Sequence, residues 1–199
     1  MFEKELKRYS ALNELAEQNG IVILGGSEDK EIPLCELKQA FELNEKLYNR
    51  SFSALTIEKA LEAYDTCVAP LEPESVLLHI GAADLKSFAE NSASFDQKYR
   101  ELIAHIKAVT PKYKIAIVSL KNYDDAAEIS EMNKHLKVLA ESEQCEFGDI
   151  ANKRVWNPKQ TRDVASFVYA TGFVRPLHIK RPIYNLVRIL FCCEPSCIA

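Results

Sequence analysis

No stretch of this chain is both long enough and apolar enough to span a bilayer. The first residues, Met1-Phe2-Glu3-Lys4-Glu5-Leu6-Lys7-Arg8, alternate charge where a secretory signal would carry an apolar core. No membrane partner is expected, and a cytoplasmic location is. Positive charge is not in excess: the net charge is -4, so the global signature of a nucleic-acid binder is missing. Neither a G-x-G-x-x-G pattern nor a P-loop Lys-Ser/Thr is present, which argues against a nucleotide site, and no cofactor is expected. Cys192, Cys193 and Cys197 cluster near the end without a second Cys/His pair at zinc spacing, so no metal is expected either. Cys35, Cys67 and Cys145 stand singly in apolar or helical contexts, as reduced thiols do. There is no internal repeat and no low-complexity segment.

What is present fits one domain over 1–199, since 199 residues at 47% hydrophobic content can bury a full core. The chain is organised around Ile21-Val22-Ile23-Leu24-Gly25-Gly26-Ser27-Glu28-Asp29. Its aliphatic run reads as a strand buried on both faces, placed at the centre of a parallel sheet, with Ser27 at the carboxyl edge where ligands bind in open α/β sheets. Gly25-Gly26 also reads simply as a turn with a solvated Ser27.

Before that strand, Leu6, Tyr9, Leu12 and Ala16 mark one face of an N-terminal helix within 1–19, stopped by Gly20. A helix over Leu34 to Leu43 and a short strand at Lys46 to Asn49 follow. Thr56 opens a helix that ends at Pro70. Ser75 to Ile80 is a third strand with the turn Gly81-Ala82-Ala83-Asp84 at its end, and a helix starts from a capping box at Ser94 and Gln97. Ile115 to Val118 is a fourth strand, Asp125 and Glu128 cap another helix, and Cys145 to Ile150 forms a fifth strand. Residues 151–180 carry no clear period, and a last helix spans 182–192. Strand and helix alternate with crossovers too long for hairpins, which predicts an α/β fold: a three-layer α/β/α sandwich on a five-stranded parallel sheet. Lys and Arg outnumber Asp and Glu beyond Ile150, a solvated basic tail or a weak attraction for an anionic partner. Oligomeric state is not readable.

Three predicted strand ends carry small residues on one sheet edge: Gly25-Gly26-Ser27, Asn49-Arg50-Ser51-Phe52-Ser53-Ala54 and Gly81-Ala82-Ala83-Asp84. In these blocks the chain resembles the SGNH, or GDSL-type, hydrolases over roughly residues 20 to 191. The resemblance implies a flavodoxin-like fold and ester hydrolysis, with Ser27 as nucleophile and Gly26 where the family has the aspartate of Gly-Asp-Ser. Asn49 to Thr56 follows the family's second block, Asn-Arg-Gly-Ile-Ser-Gly-Asp-Thr, with Ala54 at the glycine that donates an oxyanion N–H. That donor survives in an alanine provided the backbone does not need φ > 0. In the third block, Gly-x-Asn-Asp, Ala83 replaces the oxyanion asparagine, and a lost donor of this kind costs about 10²–10³ in rate. In the last, Asp-x-x-His, Thr171 and Val174 stand at the aspartate and the general base.

A serine hydroxyl needs a positioned base, so valine at that place argues against ordinary triad chemistry. The chain has 4 histidines. His105 and His135 read as surface or packing residues of helices, His79 as a satisfied core residue or an unconventional base, and His178 as a loop residue or a base. Two functions compete. One is a degraded hydrolase that binds a partner protein, or a small anionic, acyl or carbohydrate ligand in a cleft of Gly26, Ser27, Ser53, Ala54, Ala82 and Ala83. The other is a working acyl or carbohydrate esterase using Ser27 with His178 or His79.

Overall fold

The computed structural model describes residues 1–40, 43–109, 114–122, 126–151 and 190–191. Most of the irregular segment 151–180 and of the helix 182–192 lies outside them, with Thr171, Val174, His178 and the Cys192, Cys193 and Cys197 cluster. Asp125 of the second capping box also lies outside.

Five strands form one all-parallel sheet: β1 (Ile21–Gly25), β2 (Leu47–Asn49), β3 (Ser75–His79), β4 (Lys114–Val118) and β5 (Glu146–Gly148), in the order β2-β1-β3-β4-β5. The fold is the predicted α/β sandwich, but β3, not β1, is central. The chain crosses from β1 to β2 on one side and then returns to place β3 on the other. β1 thus borders the reversal of strand order, beyond which ligands bind in such sheets.

Six α-helices accompany the sheet among the described residues: α1 (Phe2–Asn13), α2 (Leu34–Ala40), α3 (Ile57–Ala63), α4 (Leu85–Glu90), α5 (Ser92–Val109) and α6 (Ala127–Ser142). None is long and apolar enough to cross a membrane. Alternate strand residues feed two cores. Val22, Leu24, Val76, Leu78, Ile115 and Ile117 join side chains from α1, α3, α5 and α6. Ile21, Ile23, Leu77, Ala116 and Val118 face the other way and meet Leu37 of α2, Ile150, Leu190 and Phe191. Burial on both faces explains why β1 and β3 read as unbroken apolar runs.

Helix boundaries differ from expectation at three places; the helix opened by Thr56 is α-helical only over Ile57–Ala63 and continues as a π turn over Tyr64–Val68 and a 3-10 turn over Ala69–Leu71. Helix α1 ends at Asn13, well short of Gly20, leaving Leu12 partly exposed. Gly20 answers to packing: a Cβ there would lie 2.7 Å from both the Lys46 carbonyl oxygen and the Tyr48 ring. Helix α5 starts at Ser92, ahead of Ser94, because the Asn91 side chain accepts the Ser94 N–H at 3.0 Å and caps the first turn.

Helix α1 grips the loop between β2 and α3 with residues spaced four apart, hence on one face. The Ser53 N–H donates to Glu5 at 3.1 Å, the Tyr9 hydroxyl donates to the Ser51 carbonyl at 2.6 Å, and Asn13 Oδ1 accepts from Arg50 Nε and a terminal nitrogen at 3.0 and 2.8 Å. Arg50 is buried, stacked on Tyr9 and Tyr48, and hydrogen-bonded to no carboxylate among the described residues. Aromatic faces and a neutral amide hold this cation, so its planar two-pronged geometry matters more than its charge. Arg50→Lys keeps the charge and loses that geometry. It is expected to destabilise the fold by roughly 1–3 kcal/mol in chemical denaturation.

Candidate active site

Gly25 at the end of β1 and His79 at the end of β3 are paired in register. Beyond them opens a cleft of about 240 Å³ lined by Gly26, Ser27, Glu28, Asp29, Ala54, Leu55, His79, Gly81, Ala82 and Ala83. The structure therefore brings Ser27, Gly26, Ala54, Ala82, Ala83 and His79 to one place. Ser53 is not in the lining, because its hydroxyl and N–H are taken by Glu5 and Lys30. His105 and His135 do not line it either: they pair across helices, His105 of α5 with Asp65 just beyond α3 and His135 of α6 with Asp96 of α5.

The Ala54 N–H donates to Ser27 Oγ at 2.8 Å. This backbone donor is thus engaged by the serine oxygen itself, whereas the negative charge of acyl transfer develops on the substrate's carbonyl oxygen. Ala54 achieves this at φ +50°, in the left-handed region that favours glycine. Alanine holds this conformation at a cost of about 1–2 kcal/mol. Ala83 presents only a methyl group to the cleft.

Asp29 escaped the sequence reading. Its Oδ1 lies 2.8 Å from His79 Nδ1, and its Oδ2 accepts the Gly26 N–H at 2.8 Å. Both side chains are buried. A Cβ on Gly25 would fall 2.0 Å from the Asp29 carboxylate, so the first glycine of the pair makes room for this acid. The only prior signal was a carboxylate four residues after Gly25, which means nothing until the turn brings it back under the strand.

The His79 ring packs edge-to-face on Phe191 at 5.1 Å between centroids. Its Nε2 is buried and makes no well-formed hydrogen bond among the described residues, although the Ser119 backbone beyond β4 is near enough to influence its titration. One ring nitrogen is thus held by Asp29 on the β1 side and the other is turned toward β4. Neither is hydrogen-bonded to Ser27. Burial opposes the charged ring, but the charge and hydrogen bond of Asp29, the charge of Glu28 and the Ser119 backbone outweigh it and raise the His79 pKa. A ring that holds its proton to higher pH is a weaker general base at neutrality.

Asp84, last residue of the Gly-Ala-Ala-Asp turn, accepts the Ile57 N–H at the start of α3 with both oxygens, at 3.2 and 3.1 Å. It ties the loop carrying Ala54 to the loop carrying Ala83. Burial pushes its carboxyl up to about 6, against the lowering effect of the Ile57 N–H.

No family model and no curated protein matches this chain. Solved structures share its fold. A Streptococcus pneumonia protein described provisionally as a platelet activating factor matches at TM-score 0.66 and 18% identity, covering 94% of this chain and 89% of that one. A GDSL-like lipase from Bacteroides thetaiotaomicron matches at TM-score 0.64 and 17% identity, with 93% and 94% covered. AlinE4, an SGNH-hydrolase family esterase, matches at TM-score 0.55 and 18% identity, with 79% and 94% covered. The three-layer parallel fold of these hydrolases is therefore the fold of this chain.

Two measurements check the site's energetics. Ala54→Gly relieves the left-handed strain and is expected to leave stability unchanged or raise it by up to about 1 kcal/mol, whereas Ala54→Val should lower it. The raised His79 pKa makes its contribution to stability complete below the ordinary value of 6.5 and lost as pH rises through the higher folded value. The unfolding free energy of the wild type relative to His79→Gln, followed by denaturant titration, should accordingly shrink from pH 6 to pH 9.

Proposed function

We propose that this chain, built on the fold of the SGNH hydrolases, binds a small anionic or acyl ligand in the cleft at Ser27 and hydrolyses it little or not at all. One observation carries this reading: the Ser27 hydroxyl is held by the Ala54 N–H, and no histidine among the described residues is hydrogen-bonded to it. The nucleophile of a working serine hydrolase is paired with a base that takes its proton as it attacks. Here the hydroxyl accepts a hydrogen bond, which draws electron density away from the oxygen.

The rest of the cleft supports recognition over reaction. A carboxylate or carbonyl oxygen of the ligand can take the Ala54 N–H and receive the Ser27 proton, while Leu55 and the methyls of Ala54, Ala82 and Ala83 give the walls an apolar surface for a short acyl chain. Below, the Gly26 N–H is already spent on Asp29, so the turn is rigid before a ligand arrives. Valine at the sequence position of the family's general base, and alanine at that of its oxyanion asparagine, point the same way.

Two assays on the full chain test the proposal. Hydrolysis of para-nitrophenyl acetate is expected to stay within about tenfold of the buffer rate. Acetate added to isotope-labelled protein is expected to shift the Ala54 amide resonance saturably, and Ser27→Ala should weaken that binding severalfold, given the typical net value of a single hydrogen bond. Robust ester turnover that disappears in Ser27→Ala would overturn the proposal in favour of an esterase served by His178 or another base.

A further inference from the structure

Ala54 does not hold its own conformation. A left-handed alanine persists only where its surroundings over-determine it. The residue before it is where those surroundings act. The Ser53 N–H donates to Glu5 Oε2 at 3.1 Å, and the Ser53 hydroxyl donates to Glu5 Oε1 at 2.8 Å. The same hydroxyl accepts from Lys30 Nζ at 2.7 Å, and Lys30 also pairs with Glu5 Oε1. Glu5, Lys30 and Ser53 thus close a triangle.

The triangle joins three separate parts of the chain. Glu5 comes from α1, Lys30 from the short 3-10 turn Glu28–Glu31 that begins immediately after Ser27, and Ser53 from the loop that delivers Ala54. One carboxylate therefore braces both lips of the cleft. Its side chain is 12% exposed and that of Lys30 29%, so the pair is partly withdrawn from solvent and less screened than a surface pair. Burial opposes the Glu5 charge, yet the contacts with Lys30 and Ser53 outweigh it and lower its pKa, which keeps the carboxylate ionised at neutral pH.

We propose that Glu5 is a positioning residue for the ligand site: through Ser53 it holds Ala54 in the left-handed turn that aims the Ala54 N–H at Ser27. The inference rests on the reading of the cleft as a ligand site and adds helix α1, which lies before the first strand, to its working parts. The other grips of α1, Tyr9 on Ser51 and Asn13 on Arg50, act earlier in the loop, so that Glu5, together with Lys30, is what reaches Ser53.

The test needs no ligand. In the labelled full chain, Ser27→Ala gives the Ala54 amide resonance of a donor without its acceptor. Glu5→Ala is expected to move Ala54 toward that position and to speed its solvent exchange about tenfold. Glu5→Gln, which keeps an acceptor for the Ser53 N–H, should restore most of the wild-type signature. Tyr9→Phe, which releases a neighbouring grip of the same helix, should change the exchange less than twofold. A folded Glu5→Ala protein with Ala54 unmoved would overturn the proposal, as would Tyr9→Phe moving it equally or Glu5→Gln failing to restore it. Where Glu5→Ala does not fold, Lys30→Met decides, with a severalfold rise in Ala54 exchange expected and no rise overturning. Acetate binding separates the two claims: a wild type that binds none removes the cleft reading, while the ligand-free Ala54 measurements still judge Glu5.

Discussion

The parallel pairing of β1 with β3 sets Gly25 beside His79, and most of the site follows from that contact. The turn after Gly25 brings Asp29 back beneath the strand end, where its carboxylate meets the Gly26 N–H on one side and the imidazole on the other. A buried carboxylate and a buried imidazole would each be costly alone, and together they are tolerable because each satisfies the other. The glycine is the geometric condition for this arrangement, since any side chain at position 25 would occupy the space of the carboxylate. The conformation of Ser27, two residues on, is therefore dictated by packing below it.

Above that floor, the cleft is assembled from three loops tied to one another by polar contacts as well as by the apolar packing of Phe52, Leu55 and Ile80. Asp84 links the third block to α3, and Glu5 with Lys30 links the second block to the turn after Ser27. Polar ties of this kind are directional, so they fix where an N–H points more sharply than a hydrophobic contact does. They also carry titratable groups. Above about pH 6 the Asp84 carboxylate is ionised although buried, and between its ordinary value of 3.8 and that point its titration lowers stability as pH rises. His79 loses its contribution at higher pH. The two groups work in adjoining windows, which gives the site an energetic dependence on pH even without a ligand.

Retention of the Ala54 conformation is informative about the site. Where a left-handed residue is needed only to turn a loop, glycine is the ordinary occupant. Here alanine adopts the left-handed backbone with its N–H on Ser27 Oγ, so the surroundings, and not the residue, hold the donor.

Much of this was legible in the sequence because it depends on local pattern. The unbroken apolar runs Ile21–Leu24 and Ser75–Ile80, separated by helical periods, dictate strands buried on both faces and hence a parallel sheet between helices. Small residues after three strands single out one edge as the candidate site, and they include the alanines at positions 54 and 83. Strand order was not legible, since nothing local states that β3 takes the centre. Nor were the pairs Asp29–His79, Asp84–Ile57 and Glu5–Ser53, whose members lie 50, 27 and 48 residues apart. Their hydrogen bonds exist only because the sheet brings distant loops within about 3 Å, a distance at which geometry rather than composition decides whether a polar group is paired. The sequence by itself determined the layers and pointed to the edge and the hydroxyl of the candidate site. The tertiary structure decided what holds that hydroxyl, because hydrogen bonding depends on where atoms meet and not on which residues are present.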